Sequence, residues 1–113
     1  MTIIYKIVPQ AAWRAAEELG VFVGAPVDLA DGFIHFSTAT QVEETAARHF
    51  AGQRDLLLIA CDSGGFGEKL VWEPSRGGAL FPHLYGPLDP GAALGVHRLP
   101  EKDGGHDFTG LLP

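Results

Sequence analysis

Two short stretches hold the side chains best suited to chemistry: Phe33-Ile-His35-Phe-Ser37 and Phe81-Pro-His83-Leu-Tyr85. In an extended strand, alternate side chains share a face. His35 and Ser37 are thus expected beside Phe33, with Ile34 and Phe36 on the other face. Phe81, His83 and Tyr85 are expected together in the same way. An imidazole titrates near neutrality and can exchange a proton or orient a ligand. Two strands that each set a histidine among aromatic rings and beside a hydroxyl imply an apolar cleft with a few convergent polar groups.

Other candidates surround this pair. Glu73 follows Trp72 at a strand end and is a candidate acid or base. Arg76, in the loop Pro74-Ser-Arg-Gly-Gly78, carries a planar fork suited to a phosphate or carboxylate. Lys6 shares a strand face with Ile4 and Val8 and is a second candidate for an anion. Ser37 and Thr38 read as helix caps, which sets a helix start beside His35. The simplest alternative for both histidines is structural: rings in a core, hydrogen-bonded to a carbonyl or hydroxyl. Trp13 and Trp72 read as core.

Several chemistries find no support. His35, His83 and His97 lack the short spacing of a metal site, and the lone Cys61 excludes a multi-cysteine one. Neither a nucleophile elbow, a P-loop nor a dinucleotide-binding glycine fingerprint occurs. Eight Lys and Arg against fourteen Asp and Glu give a net charge of −6. That balance argues against nucleic acid or an anionic membrane as partner. The apolar run between Asp55 and Asp62 is far short of the ~18 residues of a membrane span. The chain opens without a basic leader, and the expected location is the cytoplasm.

The elements that must position these residues follow from periodicity. Strands are expected over residues 2–8, 33–37, 55–62, 69–73, 80–85 and 94–99. The run Leu56–Cys61 fits a central strand buried on both faces. Pro82 cannot donate a ladder bond, so its strand is expected at an edge or a bulge. A helix is expected after Pro9, through Trp13, Ala16 and Leu19, ending at Gly20. A second should begin at Thr38, with Gln41 completing a capping box, and end at Gly52. Residues 21–30 have no clean period and read as loop. The 113 residues suffice for one core, and residues 100–113 read as a loosely ordered tail. The fold class expected is α+β: a compact single domain over residues 1–99, with a split, mostly antiparallel β-sheet and two helices in its N-terminal half.

The stretches Asp31-Gly-Phe-Ile-His-Phe-Ser-Thr38 and Phe81-Pro-His-Leu-Tyr-Gly-Pro-Leu88, with Ile4-Tyr-Lys-Ile7 and Trp72-Glu-Pro-Ser-Arg-Gly-Gly78, resemble a bacterial family termed domain of unknown function 952. The resemblance covers about residues 2–99. That family is distantly similar to the ADP-ribosyltransferase superfamily, whose split sheet binds NAD in a cleft. The resemblance implies a cleft lined by His35, Ser37, His83 and Tyr85, taking NAD or another ADP-ribose-containing nucleotide. Lys6 and Arg76 would meet its anionic groups. The implied reaction is ADP-ribosyl transfer or NAD-glycosidic cleavage, with His35 and Ser37 positioning the substrate and His83 or Glu73 assisting. Lys6 stands where the superfamily has His or Arg, and His83 where it has a carboxylate. Two other readings stand beside it: a histidine-assisted enzyme acting on another metabolite, and a non-enzymatic interaction module with structural histidines.

Overall fold

The apolar run is the middle of the molecule. In the computed structural model, which describes residues 1–113 except the side chain of Arg76, β4 (Leu56–Asp62) pairs on one side with β1 (Ile3–Pro9) and on the other with β7 (Ala93–Leu99). β3 (Ser37–Thr38) completes a four-stranded sheet in the order β3-β1-β4-β7. A second sheet has the order β2-β6-β5, from β2 (Ile34–His35), β6 (Leu80–Leu84) and β5 (Leu70–Pro74). A hairpin of β8 (Glu101–Lys102) and β9 (Gly105–His106) follows. Every pairing is antiparallel.

Strand alternation divides the core into two layers. Leu57, Ile59 and Cys61 join Ile4 and Val8 on one face, covered by Trp13 and Ala16 of α1 (Gln10–Leu19) and by Ile34, Phe36 and Leu84. Leu56 and Leu58 join Tyr5 and Ile7 on the other, under Val42 and Ala46 of α3 (Val42–His49). Both layers exclude water, which is why β4 carries no polar residue between its ends. Burial also pushes the Cys61 thiol up to about 11, as befits a small core hydrophobe.

Several expectations change at this level. Residues 21–30 are not all loop: α2 (Pro26–Asp31) makes a third helix, with Pro26 in its first turn and Gly32 closing it at φ 87°. Ser37 and Thr38 are strand residues paired with Tyr5 and Ile4, and the helix starts only at Val42. Gln41 keeps half of the capping box, its Oε1 accepting from the Thr38 amide at 3.0 Å. Trp72 is 39% exposed on β5, an edge strand, while Trp13 is fully buried. The tail is packed: Phe108, Leu111 and Leu112 lie on the second layer, and the His106 ring donates to the Gln53 carbonyl at 2.9 Å.

The expected strand 33–37 splits between the two sheets, and Pro82 explains where. Pro82 lies in the central strand of the small sheet, not at an edge. Its carbonyl accepts from the Phe36 amide at 3.0 Å, but it has no N–H to return to Phe36. The ladder that pairs Ile34 with Leu84 and His35 with His83 therefore stops there. Beyond Phe36 the chain crosses to β1.

Deleting residues 107–113 would uncover the second layer. We expect a loss of about 3 kcal/mol in urea unfolding, from three apolar side chains returned to water. An unchanged midpoint would show the tail to be dispensable.

Candidate functional site

β3 covers β1 only at Ile4 and Tyr5, so the edge of β1 beyond Tyr5 has no strand beside it. A cleft of about 600 Å³ opens there, within the usual range for small-molecule sites. Its walls come from β1, α2, α3 and the parting of the two sheets. Lys6, His35, Ser37 and His83 line it, as do Asp31, Thr45 and His49. Tyr85 and Glu73 are not in its wall; they stand behind His83.

The floor is organised by Asp28, which is 2% exposed. Its carboxylate accepts from the Ala25 amide at 2.7 Å, the His35 amide at 3.1 Å and the His35 ring Nδ1 at 2.7 Å. The Lys6 ammonium lies 3.1 Å from Oδ2 and donates also to the His35 carbonyl at 3.0 Å. Burial alone would raise the Asp28 pKa. The His35 ring, the Lys6 charge and the two amides outweigh it and hold the carboxyl at about 2. Lys6, 6% exposed, is pushed below the usual ammonium range by burial, with Asp28 acting in the opposite sense. The pair is ionised, because Asp28 gathers four donors at short distance.

His35 and His83 occupy one rung of the ladder between β2 and β6. Their ring centroids are 5.5 Å apart, edge to face, and Phe33 packs against both, at 4.5 and 4.0 Å. The His35 Nε2 meets Asp31 Oδ2 at 2.9 Å. His83 is 5% exposed, and its Nδ1 lies 2.9 Å from Glu73 Oε1. The same oxygen accepts from the Tyr85 hydroxyl at 2.7 Å. Tyr85 first, then His83, lowers the Glu73 pKa; the carboxylate in turn raises that of Tyr85. Among the described residues nothing hydrogen-bonds to His83 Nε2.

The sequence-derived residues thus fall into three groups. His35, Ser37, His83 and Lys6 meet in the cleft, although Lys6 is neutralised by Asp28. The Ser37 hydroxyl pairs with that of Thr45 at 2.9 Å, so it caps nothing. Glu73 and Tyr85 hold His83 from behind. The Arg76 side chain lies outside the described residues. Among those residues no cluster of His, Cys, Asp and Glu suits a metal ion. Sequence reasoning missed Asp28 and Asp31. Their signal is Pro26, then Asp28 at the third helical position, then Gly32, a start and stop without room for a period.

Asp28→Asn tests the floor. A depressed carboxylate contributes stability that is fully present above its unfolded pKa near 4 and is lost as pH falls toward 2. The substitution should remove that part of the acid limb, on the order of 2 kcal/mol. At neutral pH it should cost about 3 kcal/mol, since Lys6 remains buried without its partner. A wild-type acid limb in urea unfolding of the variant would contradict the assignment. Gly24 sits at φ 123°, and a Cβ there would fall 2.8 Å from the Asp28 Cβ. Gly24→Ala should therefore disturb the same floor.

Similarity to known proteins agrees with the architecture. Among the described residues no helix is long and apolar enough to cross a membrane. The family model for "Protein of unknown function (DUF952)" matches residues 7–96. The crystal structure of protein CC0527 from Caulobacter crescentus is 49% identical, with a TM-score of 0.92 and 96% of each chain covered. The solution NMR structure of CC0527 is also 49% identical, with a TM-score of 0.88, covering 99% of this chain and 97% of that one. Comparison with curated proteins returns no match. The matched span takes in both histidine strands and the Asp28 floor, and the chain belongs to the DUF952 family.

Proposed function

We propose that the cleft binds a small organic ligand and that His83, oriented by Glu73, exchanges a proton with it through Nε2. The observation that carries this reading is the pattern of contacts on one ring. Nδ1 is held by a carboxylate outside the cleft wall, and Nε2 is left without a protein partner among the described residues. Donation from Nδ1–H to Glu73 leaves the Nε2 lone pair available as a base. Glu73, kept ionised by its two donors, stabilises the imidazolium once the proton has arrived. Phe33, stacked on the ring at 4.0 Å, holds its plane.

The family resemblance supplies a first ligand class, NAD or another ADP-ribose-containing nucleotide. Its support is the cleft's volume and its place where two antiparallel sheets part. In glycosidic cleavage, water or an acceptor hydroxyl would give its proton to His83 Nε2 as its oxygen bonds to the sugar carbon. Nicotinamide would leave with the electron pair of the broken bond. A carboxylate against the positive sugar is not provided by Glu73, which is turned onto His83 and Tyr85. The proton-transfer role is thus better supported than the choice of nucleotide, and it serves equally for another metabolite.

Calorimetric titration with NAD, followed by chromatography of released nicotinamide, tests both parts. We expect saturable binding, with turnover reduced at least about 100-fold in His83→Gln and a melting temperature near that of the wild type. No binding at millimolar NAD would remove the nucleotide and leave the base for another ligand. A large drop in melting temperature together with no ligand response would favour the structural reading of the histidines.

A further inference from the structure

We infer that His35 is the seat for an oxyanion of the ligand, a carboxylate or a phosphate, and that Asp31 fills this seat in the present structure. The inference rests on reading the cleft as a ligand site.

The argument starts from donors. His35 meets a carboxylate at each ring nitrogen, Asp28 at Nδ1 and Asp31 at Nε2. A neutral imidazole has one N–H, so one carboxylate would then face a lone pair. Both contacts are hydrogen bonds only for the doubly protonated ring. The charged and titratable groups around it are few. Lys6 of β1 cancels Asp28 of α2. His83 of β6 lies edge-on across the rung, and Glu73 of β5 is engaged by His83 and Tyr85. Among the described residues that contact it, the doubly protonated ring is then balanced by Asp31. Without Asp31 the cluster presents one positive charge to the cleft.

The two carboxylates differ in how firmly they are held. Asp28 is buried under four donors and cannot leave. Asp31 has a side chain 48% exposed and, among the described residues, no hydrogen bond except that to His35. It is the last residue of α2, where the helix end carries partial negative charge and disfavours a carboxylate. Swapping it for a ligand oxyanion exchanges one charge-assisted bond for another and returns Asp31 to water. Lys6 and Ser37 line the same cleft as the His35 ring, so the incoming oxygens would meet polar groups there.

The test is a titration of the full chain with sodium acetate and, separately, inorganic phosphate, at fixed pH and ionic strength. The ring 15N resonances of His35 report binding. We expect Asp31→Asn to bind at least one of the two about tenfold more tightly than the wild type, with the His35 Nε2 signal moving. Adding His35→Gln should abolish this gain. Tightening for acetate alone assigns a carboxylate group, for phosphate alone a phosphate group, and for both an unselective oxyanion seat. Equal affinities in wild type and Asp31→Asn overturn the inference, as does a gain that survives the second substitution. Because Asp31 is exposed, the single variant decides the matter even if the double variant fails to fold. The His83 resonances are read in the same spectra. A His83 ring protonated at Nδ1 with no anion effect at His35 would sink the seat and spare the base, and the reverse pattern would do the opposite.

Discussion

A carboxylate removed from water must be surrounded by donors or it will not stay ionised, and Asp28 obeys that constraint at the centre of this protein. Its donors come from the start of its own helix, from β1 and from β2. One side chain consequently places α2, neutralises Lys6 and turns the His35 ring. The cost of stripping water from Lys6 and Asp28 is offset only while the whole set is complete. Lys6, Asp28 and His35 are therefore a single electrostatic unit, not a collection of independent contacts.

Sharing a rung and an aromatic neighbour, the two histidines nonetheless differ in what stands behind them. One carboxylate on His83 leaves a nitrogen for chemistry. Two on His35 engage both of its nitrogens. In the functions proposed for them, the neighbouring acid groups, more than the imidazoles themselves, divide proton transfer from anion recognition.

Much of this was legible in the sequence. Alternation along residues 33–37 and 80–85 was enough to set His35 on one strand face with Phe33 and Ser37, and His83 on one with Phe81 and Tyr85, because burial enforces a period of two. The run Leu56–Cys61 announced the central strand, and Pro9 and Gly20 bounded α1. Alternation is blind, however, to which neighbour a strand chooses, so the transfer at Phe36 left no mark. Asp28 was hidden because six helical residues are too few to show a period, leaving only Pro26 and Gly32 as signals. Phe108, Leu111 and Leu112 have the spacing of one packed face, but glycines around them read as a loose end. Glu73 could be named as a candidate. That it would face His83 and Tyr85 instead of a ligand depends on the pairing of β5 with β6.

The missing N–H of Pro82 has a reach beyond the ladder it interrupts. His35 belongs to one sheet and Ser37 to the other, with only Phe36 between them. One wall of the cleft is therefore joined to both sheets through the backbone at Phe36. Its amide, held to the Pro82 carbonyl at 3.0 Å, lies at the pivot. That proton is a built-in spectroscopic gauge, and its hydrogen exchange would register any wedge driven between the two sheets without a label being attached.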